Sequence, residues 1–212
     1  MVRDNVQRIR AEIKERGGKD VGLVAVTKTF GVDAIHIAQQ CGCDAVGENY
    51  AQELRDKIHG DPQASLLQIP VHFIGAIQTN KVRMIADLVD VWQSVDRESV
   101  IAEIAKRSTG TAQVLLQVNT TGEDSKSGCQ PSDIDALRDV AERVGIQVIG
   151  LMTMGPTDGD PDRTRQSFRL LRQLTSSQAL PVCSMGLSGD YLMAVDEGST
   201  MVRIGQALFG PR

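Results

Sequence analysis

Short apolar runs alternate with longer amphipathic stretches from one end of this chain to the other. Eight runs have the apolar, β-branched pattern of buried strands, starting near residues 21, 44, 71, 89, 112, 146, 181 and 200. A stretch with helical spacing follows each of the first seven runs. Strands that alternate with helices form parallel βαβ units, so this order constrains the fold more than any other feature of the sequence.

Eight such units in 212 residues favour a closed barrel. The prediction is an α/β protein with a single (β/α)8 TIM barrel that spans residues 1–212 as one domain, because such barrels begin at about 200 residues. A doubly wound open sheet is the alternative, although it would not usually need eight repeats. Few residues follow the eighth strand, so an extra N-terminal helix within residues 1–18 is expected to pack on the barrel.

Composition and charge argue against two classes of binding partner, nucleic acids and membranes. Lys and Arg number 23 against 27 Asp and Glu, which gives a net charge of −4 and no basic character for nucleic-acid binding. Aromatic residues make up 3% of the chain, too few for a base-stacking platform. No apolar run reaches the roughly 20 residues that span a bilayer, and no signal-peptide pattern is present. We therefore expect neither a nucleic-acid nor a membrane partner.

The cysteines favour a reduced, cytoplasmic protein. Four cysteines are too few for a disulfide scaffold in a chain of this size. Cys41 and Cys43 lie close together, with His36 upstream, but the spacing is not CxxC and no second pair exists. We interpret them as small residues in a helix-to-strand turn and expect no metal site.

Lys28 is the sharpest candidate for chemistry, because active sites of such barrels lie at the carboxyl ends of the strands. It follows the apolar run at 21–26 almost directly. Desolvation at that position favours the neutral amine, which is the form that attacks a carbonyl. A lysine that extends to solvent from a strand end is the alternative, and it is favoured when Lys28 is considered alone.

Glycine-rich loops after strands 7 and 8 predict an anion site. The stretch from Ser184 to Gly189 forms one loop, and Gly205 with Gln206 begins the other. Glycines let backbone N–H groups approach a phosphate, which barrels often bind with these two loops. Ordinary tight turns are the alternative. Together with Lys28, the loops fit a ligand that has an aldehyde at one end and a phosphate at the other.

Four further polar residues have open roles. Arg203, at the end of strand 8, could meet a phosphate or a ring nitrogen, or form a surface or interface salt bridge. His72 lies in an apolar strand and is interpreted as a hydrogen-bonded core histidine. Glu48 and Asn49 could orient Lys28 or the ligand, and Asn49 could instead cap a helix.

These residues lie in segments that resemble a known protein family. Segments that carry the resemblance include AVTKT at 25–29, GENYAQE at 47–53, HFIGAIQTNK at 72–81, SMGLSGDY at 184–191 and STMVRIGQALFG at 199–210. They extend over nearly the whole chain in the family's order. The chain is similar to the pyridoxal phosphate homeostasis proteins, whose fold is like the N-terminal barrel of alanine racemase.

The resemblance implies one pyridoxal 5′-phosphate (PLP) per chain, held as a Schiff base on Lys28. It implies phosphate contacts from Ser188 and from the backbone around Gly205 and Gln206, with Arg203 near the pyridine nitrogen. The full set expected at the cofactor is Lys28, Asn49, Met152, Ser184, Gly186, Ser188, Arg203, Gly205 and Gln206.

The implied function is intracellular PLP (vitamin B6) homeostasis without significant catalytic turnover, so no catalytic residue is assigned. An arginine beside the pyridine nitrogen disfavours its protonation and weakens the electron sink. Alanine racemase, which shares this feature, compensates with a tyrosine from a second domain and a partner subunit. The chain is expected to lack that domain and to be a monomer, with Tyr50 and Tyr191 in barrel loops.

Three alternatives stay open at this point. One is a PLP-dependent amino-acid enzyme such as a weak racemase. Another is a Schiff-base aldolase that acts on a sugar phosphate. A third is a binding module that delivers PLP to apo PLP-dependent enzymes as its partners.

Overall fold

The computed structural model describes residues 1–210 as eight parallel strands that close into a barrel. The strands are β1 (Gly22–Val26), β2 (Ala45–Glu48), β3 (Val71–Phe73), β4 (Val91–Val95), β5 (Gln113–Gln117), β6 (Gln147–Met152), β7 (Val182–Ser184) and β8 (Met201–Ile204). Each strand pairs with the next along the chain, and β8 pairs with β1. The predicted (β/α)8 TIM barrel is therefore confirmed, and the open sheet is wrong.

Helices surround the barrel in strict alternation with the strands. They are α1 (Val2–Glu15), α2 (Asp33–Gln40), α3 (Ala51–His59), α4 (Thr79–Val82), α5 (Glu98–Arg107), α6 (Ile134–Arg143), α7 (Pro161–Ser177), α8 (Tyr191–Asp196) and α9 (Gln206–Phe209). The longest, α7, begins where its sequence predicts. The Asp160 carboxylate accepts a hydrogen bond from the Arg163 backbone N–H at 2.8 Å, and Pro161 is the first helical residue. No helix within residues 1–210 combines the length and the apolar character needed to cross a membrane.

The segment between β3 and β4 departs from the sequence prediction. Apolar spacing predicts a helix over 79–88 and a strand over 89–93, but α4 ends at Val82 and β4 extends to Val95. Ile85 and Leu88 donate backbone hydrogen bonds to the residues three positions earlier, at 3.1 and 3.0 Å. Such tighter turns keep Val82 and Ile85 buried, as a helix would. Periodicity alone therefore could not reveal where the helix ends.

The N-terminal helix α1 packs on the part of the barrel that follows β7 and β8. Its buried face consists of Val6, Ile9 and Ile13. Asn5 Nδ2 donates to the carbonyl of Leu208 in α9 at 2.9 Å. The helix after β8, α9, has only one turn. The N-terminal helix α1 therefore covers apolar surface that a longer helix after β8 would cover. The predicted extra N-terminal helix is confirmed.

Two apolar layers lie on opposite sides of the barrel wall. Val91, Leu115 and Met152 form a small cluster inside the barrel, whereas Trp92 belongs to the large core between strands and helices. Neighbouring residues of a strand point to opposite faces, so β4 contributes Val91 to one layer and Trp92 to the other. In the outer layer the rings of Trp92 and Phe73 have centroids 5.7 Å apart.

Candidate functional site

A cavity of about 480 Å³ opens at the carboxyl ends of β1 and β8, beside the loop after β7. Its lining residues are Val26, Lys28, Leu187, Ser188, Gly189, Arg203, Gly205 and Gln206. The structure thus brings together five of the nine residues predicted at the cofactor, namely Lys28, Ser188, Arg203, Gly205 and Gln206. Lys28 is half-buried there. We refer to this space as the Lys28 cavity.

The turn that carries Lys28 is held on both sides by helix α3. Lys57 Nζ donates to the Thr27 carbonyl at 2.8 Å, and the Glu53 carboxylate accepts the Thr29 backbone N–H at 2.5 Å. Lys57 and Glu53 also form an ion pair of 2.6 Å with each other. Thr29 has φ +67°, a left-handed conformation that β-branched residues rarely adopt. The contacts from α3 hold the backbone in this strained turn.

Glu48 supports the same turn from inside the barrel wall. Its carboxylate accepts the Thr27 hydroxyl at 2.7 Å and pairs with Lys57 Nζ at 2.7 Å. Burial raises the pKa of Glu48, although Lys57 and Thr27 favour the charged form. Glu48 does not line the Lys28 cavity. Its contacts with Thr27 and Lys57 support the turn that carries Lys28.

Arg203 begins a hydrogen-bonded chain through the interior of the barrel. Its guanidinium donates to Ser184 Oγ at 2.6 Å and to the Thr153 carbonyl at 2.8 Å. The Ser184 hydroxyl donates to Gln93 Oε1 at 2.8 Å, and Gln93 Nε2 lies 2.7 Å from His72 Nδ1. Because the Gln93 amide group donates, His72 Nδ1 is the acceptor and the neutral ring carries its proton on Nε2.

Burial shifts the pKa at both ends of this chain. It lowers the pKa of Arg203 to about 10 and that of His72 to about 4. At neutral pH this series of hydrogen bonds therefore connects the buried, charged Arg203 to the neutral His72 ring. The prediction of a core histidine is confirmed. A surface salt bridge for Arg203 is wrong, since only 2% of the residue is exposed.

The loops after β7 and β8 meet at Ser188. Its hydroxyl oxygen accepts the backbone N–H groups of Gly205 at 3.3 Å and Ala207 at 3.2 Å. Gly186, in the same loop, has φ +95°, and a Cβ there would come within 2.6 Å of Ala194 Cβ. Only glycine fits that position. The two loops consequently place Ser188, Gly205 and Gln206 together on one side of the Lys28 cavity.

The other predicted residues lie outside the Lys28 cavity. Met152 packs against Val91 and Leu115 inside the barrel, while Ser184 and Gly186 each accept a hydrogen bond from Arg203. Asn49 lines a separate cavity. The predicted helix cap at Asn49 is wrong, because α3 begins at Ala51 and its N-cap residue is Tyr50, with no side-chain cap hydrogen bond.

The sequence did not reveal three residues whose side chains join different elements of the fold. Gln93 interrupts an apolar strand, and that interruption was an available signal for a buried polar contact. Glu53 and Lys57 have the i, i+4 spacing of an ordinary surface ion pair, so nothing in the sequence distinguished them.

Residues 1–210 bring together no group of three or more His, Cys, Asp or Glu side chains that could hold a metal ion. Burial raises the pKa of the Cys43 thiol to about 12, and Cys41 beside it is half-buried. Both are in the chain segment that connects α2 to β2, where a turn was predicted.

Known proteins are similar to this chain in sequence and in fold. The family model for the N-terminal domain of alanine racemase matches residues 1–212. The chain is 36% identical to the pyridoxal phosphate homeostasis protein of Vibrio cholerae over 230 residues, covering 100% of this chain and 96% of that protein. The protein of the same name from Pseudomonas aeruginosa is 38% identical over 225 residues, with the same coverage.

Solved structures agree with this similarity. PipY of Synechococcus elongatus, in a structure with PLP bound, has a TM-score of 0.85 and 28% identity, and the match covers 99% of this chain and all of PipY. An alanine racemase from Clostridium difficile has a TM-score of 0.77 at 15% identity. That match covers 99% of this chain and 57% of the racemase, and it shows a common fold.

Proposed function

Because the chain belongs to the alanine racemase N-terminal domain family and to the pyridoxal phosphate homeostasis proteins, we propose that it binds one PLP in the Lys28 cavity and serves PLP homeostasis. The observation that carries this proposal is that Lys28, the buried Arg203 and the two glycine-containing loops after β7 and β8 line one cavity of about 480 Å³. That volume lies in the range of about 300–1,000 Å³ that is typical of small-molecule sites.

Lys28 supplies the amine for a Schiff base with the PLP aldehyde, with release of one water. This half-buried amine at the cavity wall is suited to that bond. The backbone N–H groups of Gly205 and Ala207 already bond to an oxygen, that of Ser188. A phosphate oxygen has the same acceptor character, so these groups fit the phosphate, with the backbone of Gln206 beside them.

Arg203 faces the pyridine nitrogen in this proposal. Its pKa of about 10 keeps it charged at neutral pH, and a cation at that place disfavours protonation of the ring nitrogen. Ser184 orients the guanidinium, the Gly186 carbonyl accepts the Arg203 backbone N–H at 3.0 Å, and Met152 packs inside the barrel. The family resemblance also implies Asn49 at the cofactor, and we keep it in the proposal although it lines a different cavity.

We propose further that the protein carries PLP without significant turnover. Racemisation needs proton-moving groups on both faces of the substrate. Tyr191 donates its hydroxyl hydrogen bond to Glu12 on α1, and the exposed Tyr50 lines the other cavity. Neither tyrosine of the chain lines the Lys28 cavity. A weak amino-acid racemase is the alternative.

A monomer in the cytoplasm, with apo PLP-dependent enzymes as recipients of the cofactor, completes the proposal. The homeostasis role in the name of the relatives supports a carrier. The four cysteines are all free thiols, which supports a reducing compartment.

Absorption spectroscopy with added PLP, followed by borohydride reduction and peptide mass mapping, tests the cofactor assignment. We expect a yellow protein with a reduced phosphopyridoxyl group on Lys28. Lys28→Arg keeps a long basic side chain but has no primary amine, so the variant should lose both the colour and the adduct. Lys126→Ala is the matched control, since Lys126 also lies near the strand ends, where it bonds to the Gly155 carbonyl at 2.7 Å. A colourless protein that takes up no PLP would contradict the proposal.

Two assays of the loaded protein address its activity. We expect no measurable racemisation of alanine, and we expect PLP to pass to an apo PLP-dependent enzyme. Steady racemisation that disappears in the Lys28→Arg variant would favour the enzyme alternative.

A further inference from the structure

A series of buried hydrogen bonds reaches Arg203 from across the barrel. It runs from His72 on β3 and Gln93 on β4 to Ser184 on β7 and Arg203 on β8. All four residues are buried. The Arg203 guanidinium donates to neutral acceptors, the Ser184 hydroxyl and the Thr153 carbonyl. Its orientation therefore depends on how these acceptors are themselves held in place.

The side-chain amide of Gln93 has a fixed orientation. Its Nε2 atom lies 2.7 Å from His72 Nδ1 and 3.3 Å from Met201 Sδ. A thioether sulfur can only accept, and a neutral imidazole accepts at its unprotonated nitrogen. The two amide hydrogens of Gln93 therefore face His72 and Met201. The amide oxygen, Oε1, is left to face Ser184.

The amide orientation decides what the Ser184 hydroxyl does. An arginine side chain only donates, so Ser184 Oγ accepts from Arg203 and gives its single hydrogen to another atom. Gln93 Oε1, which lies 2.8 Å from Oγ, takes that hydrogen. With the amide reversed, Gln93 and Arg203 would both donate to Oγ, and the hydroxyl hydrogen would lose its acceptor. Gln93 thus allows Ser184 to hold Arg203 with every hydrogen bond satisfied.

We propose that Gln93 is a positioning residue for the cofactor. It directs the Ser184 hydroxyl, and Ser184 in turn holds the Arg203 guanidinium toward the pyridine nitrogen of PLP. This inference rests on the proposed function, in which Arg203 faces that nitrogen. Gln93 does not line the Lys28 cavity, so it acts on the cofactor through Ser184 and Arg203.

Nitrogen NMR of PLP that is isotope-labelled at its ring nitrogen measures the contact with Arg203. In the PLP-loaded wild-type protein we expect the resonance of a nitrogen that accepts a hydrogen bond. Gln93→Met keeps the length of the side chain but removes its polar groups, so the resonance should move toward that of an unbonded nitrogen. Gln117→Met is the matched control and should leave the resonance unchanged, because Gln117 is also buried, on β5, but donates to the Ser127 carbonyl at 3.0 Å.

A double variant shows whether Gln93 acts through Ser184. Ser184→Ala removes the hydroxyl, so adding Gln93→Met to Ser184→Ala should cause no further change in the ring-nitrogen resonance. Gln93→Met alone should weaken PLP binding roughly tenfold, because Arg203 loses the support of one hydrogen bond to a charged group. Circular dichroism verifies that the variants are folded, and Gln93→Leu replaces Gln93→Met if the latter does not fold.

The orientation of the Gln93 amide is measured without PLP. Nitrogen NMR of the His72 ring in PLP-free protein gives its tautomer, and His72→Asn identifies its resonances among those of the three histidines. We expect an unprotonated Nδ1 and a protonated Nε2, which is the tautomer that accepts from Gln93. In Gln93→Met the ring loses this donor, so the Nδ1 resonance should move toward that of an unbonded nitrogen.

Three results would overturn the proposal. One is a ring-nitrogen resonance of PLP that Gln93→Met leaves unchanged. Another is a further change when Gln93→Met is added to Ser184→Ala. The third is a proton on His72 Nδ1 in the wild-type protein, which would mean that the amide is reversed. Failure of the wild-type protein to take up PLP would contradict the cofactor proposal itself. The first two results require PLP-loaded protein and the third requires none, so the two kinds of failure are distinguishable.

Discussion

Among single residues, His72 has the clearest consequence for the pH dependence of folding. Burial lowers its pKa from 6.5 to about 4. Between these pH values the unfolded chain binds a proton at this residue and the folded chain does not. The free energy of unfolding is therefore highest above pH 6.5 and falls as the pH decreases toward 4. The expected loss from His72 is about 3 kcal/mol across this window.

Urea unfolding at several pH values between pH 7 and pH 4 measures this change in the free energy of unfolding. His72→Asn removes the titrating ring but keeps a polar group beside Gln93, so its free energy of unfolding should decrease less on acidification. His59→Gln is the matched control, because His59 is exposed at the end of α3. A variant at His72 that retains the wild-type acid dependence would contradict the assignment.

At the scale of the element, helix α3 fixes the turn that carries Lys28. Lys57→Met leaves the fully buried Glu48 carboxylate without its cation, and it removes one of the two donors to the Thr27 carbonyl, the other being the Phe30 backbone N–H. Breaking a buried pair in this way should lower the free energy of unfolding by about 3 kcal/mol. We also expect weaker PLP retention, since the strained turn loses its support. Denaturant unfolding and PLP dialysis measure the two effects.

A second substitution makes this prediction specific. Glu48→Gln in the Lys57→Met background removes the unpaired buried charge, so it should recover part of the lost stability. Lys106→Met in α5 is the control for loss of a lysine, because Lys106 is exposed. Equal effects of Lys57→Met and Lys106→Met on the free energy of unfolding and on PLP retention would contradict the prediction that α3 supports the turn.

Close approach of two strands restricts residue choice in β6. A Cβ at Gly150 would lie 2.1 Å from the Val182 carbonyl oxygen of β7, which is backbone and cannot move aside. We expect Gly150→Ala to lower the free energy of unfolding by about 3 kcal/mol. Gly110→Ala is the matched control, since a Cβ there meets nothing within 4 Å. Thermal unfolding compares the two variants, and equal midpoints would contradict the prediction.

Elements and their order could be predicted from the sequence because they depend on local patterns. Seven of the eight strands begin within one residue of the predicted start, and β4 begins two residues later. The Lys28 cavity was also predictable in outline. In a parallel barrel the carboxyl ends of all strands lie on one face, so Lys28 after β1 and the glycine loops after β7 and β8 meet there although they are far apart in the sequence.

Contacts across the barrel could not be predicted in the same way. The chain from Arg203 through Ser184 and Gln93 to His72 depends on side chains from four strands that point to the same interior level. Strand register decides which side chains share a level, and no local pattern in one sequence fixes it. The end of α4 was missed for a related reason, since tight turns preserved the helical apolar spacing.

At the scale of the whole molecule, we expect residues 1–212 to unfold as one unit. Barrel closure joins β8 to β1, and α1 packs beside α8 and α9 in that region. Trp92 lies in β4, across the barrel from β8 in the strand order. A single cooperative domain should transmit the loss of a contact in α1 to the environment of Trp92.

Ile9→Ala tests this cooperativity. Ile9 is 0% exposed in α1, so its truncation should lower the free energy of unfolding by about 3 kcal/mol. The single tryptophan reports from β4 and far-ultraviolet circular dichroism reports on all helices, and we expect both transitions to shift by the same amount. Ile37→Ala, at a residue that is 38% exposed, should shift both only slightly. A shift seen by circular dichroism but not by Trp92 emission would mean that α1 detaches before the barrel opens. In that case α1 would cover the barrel without taking part in its cooperative unfolding.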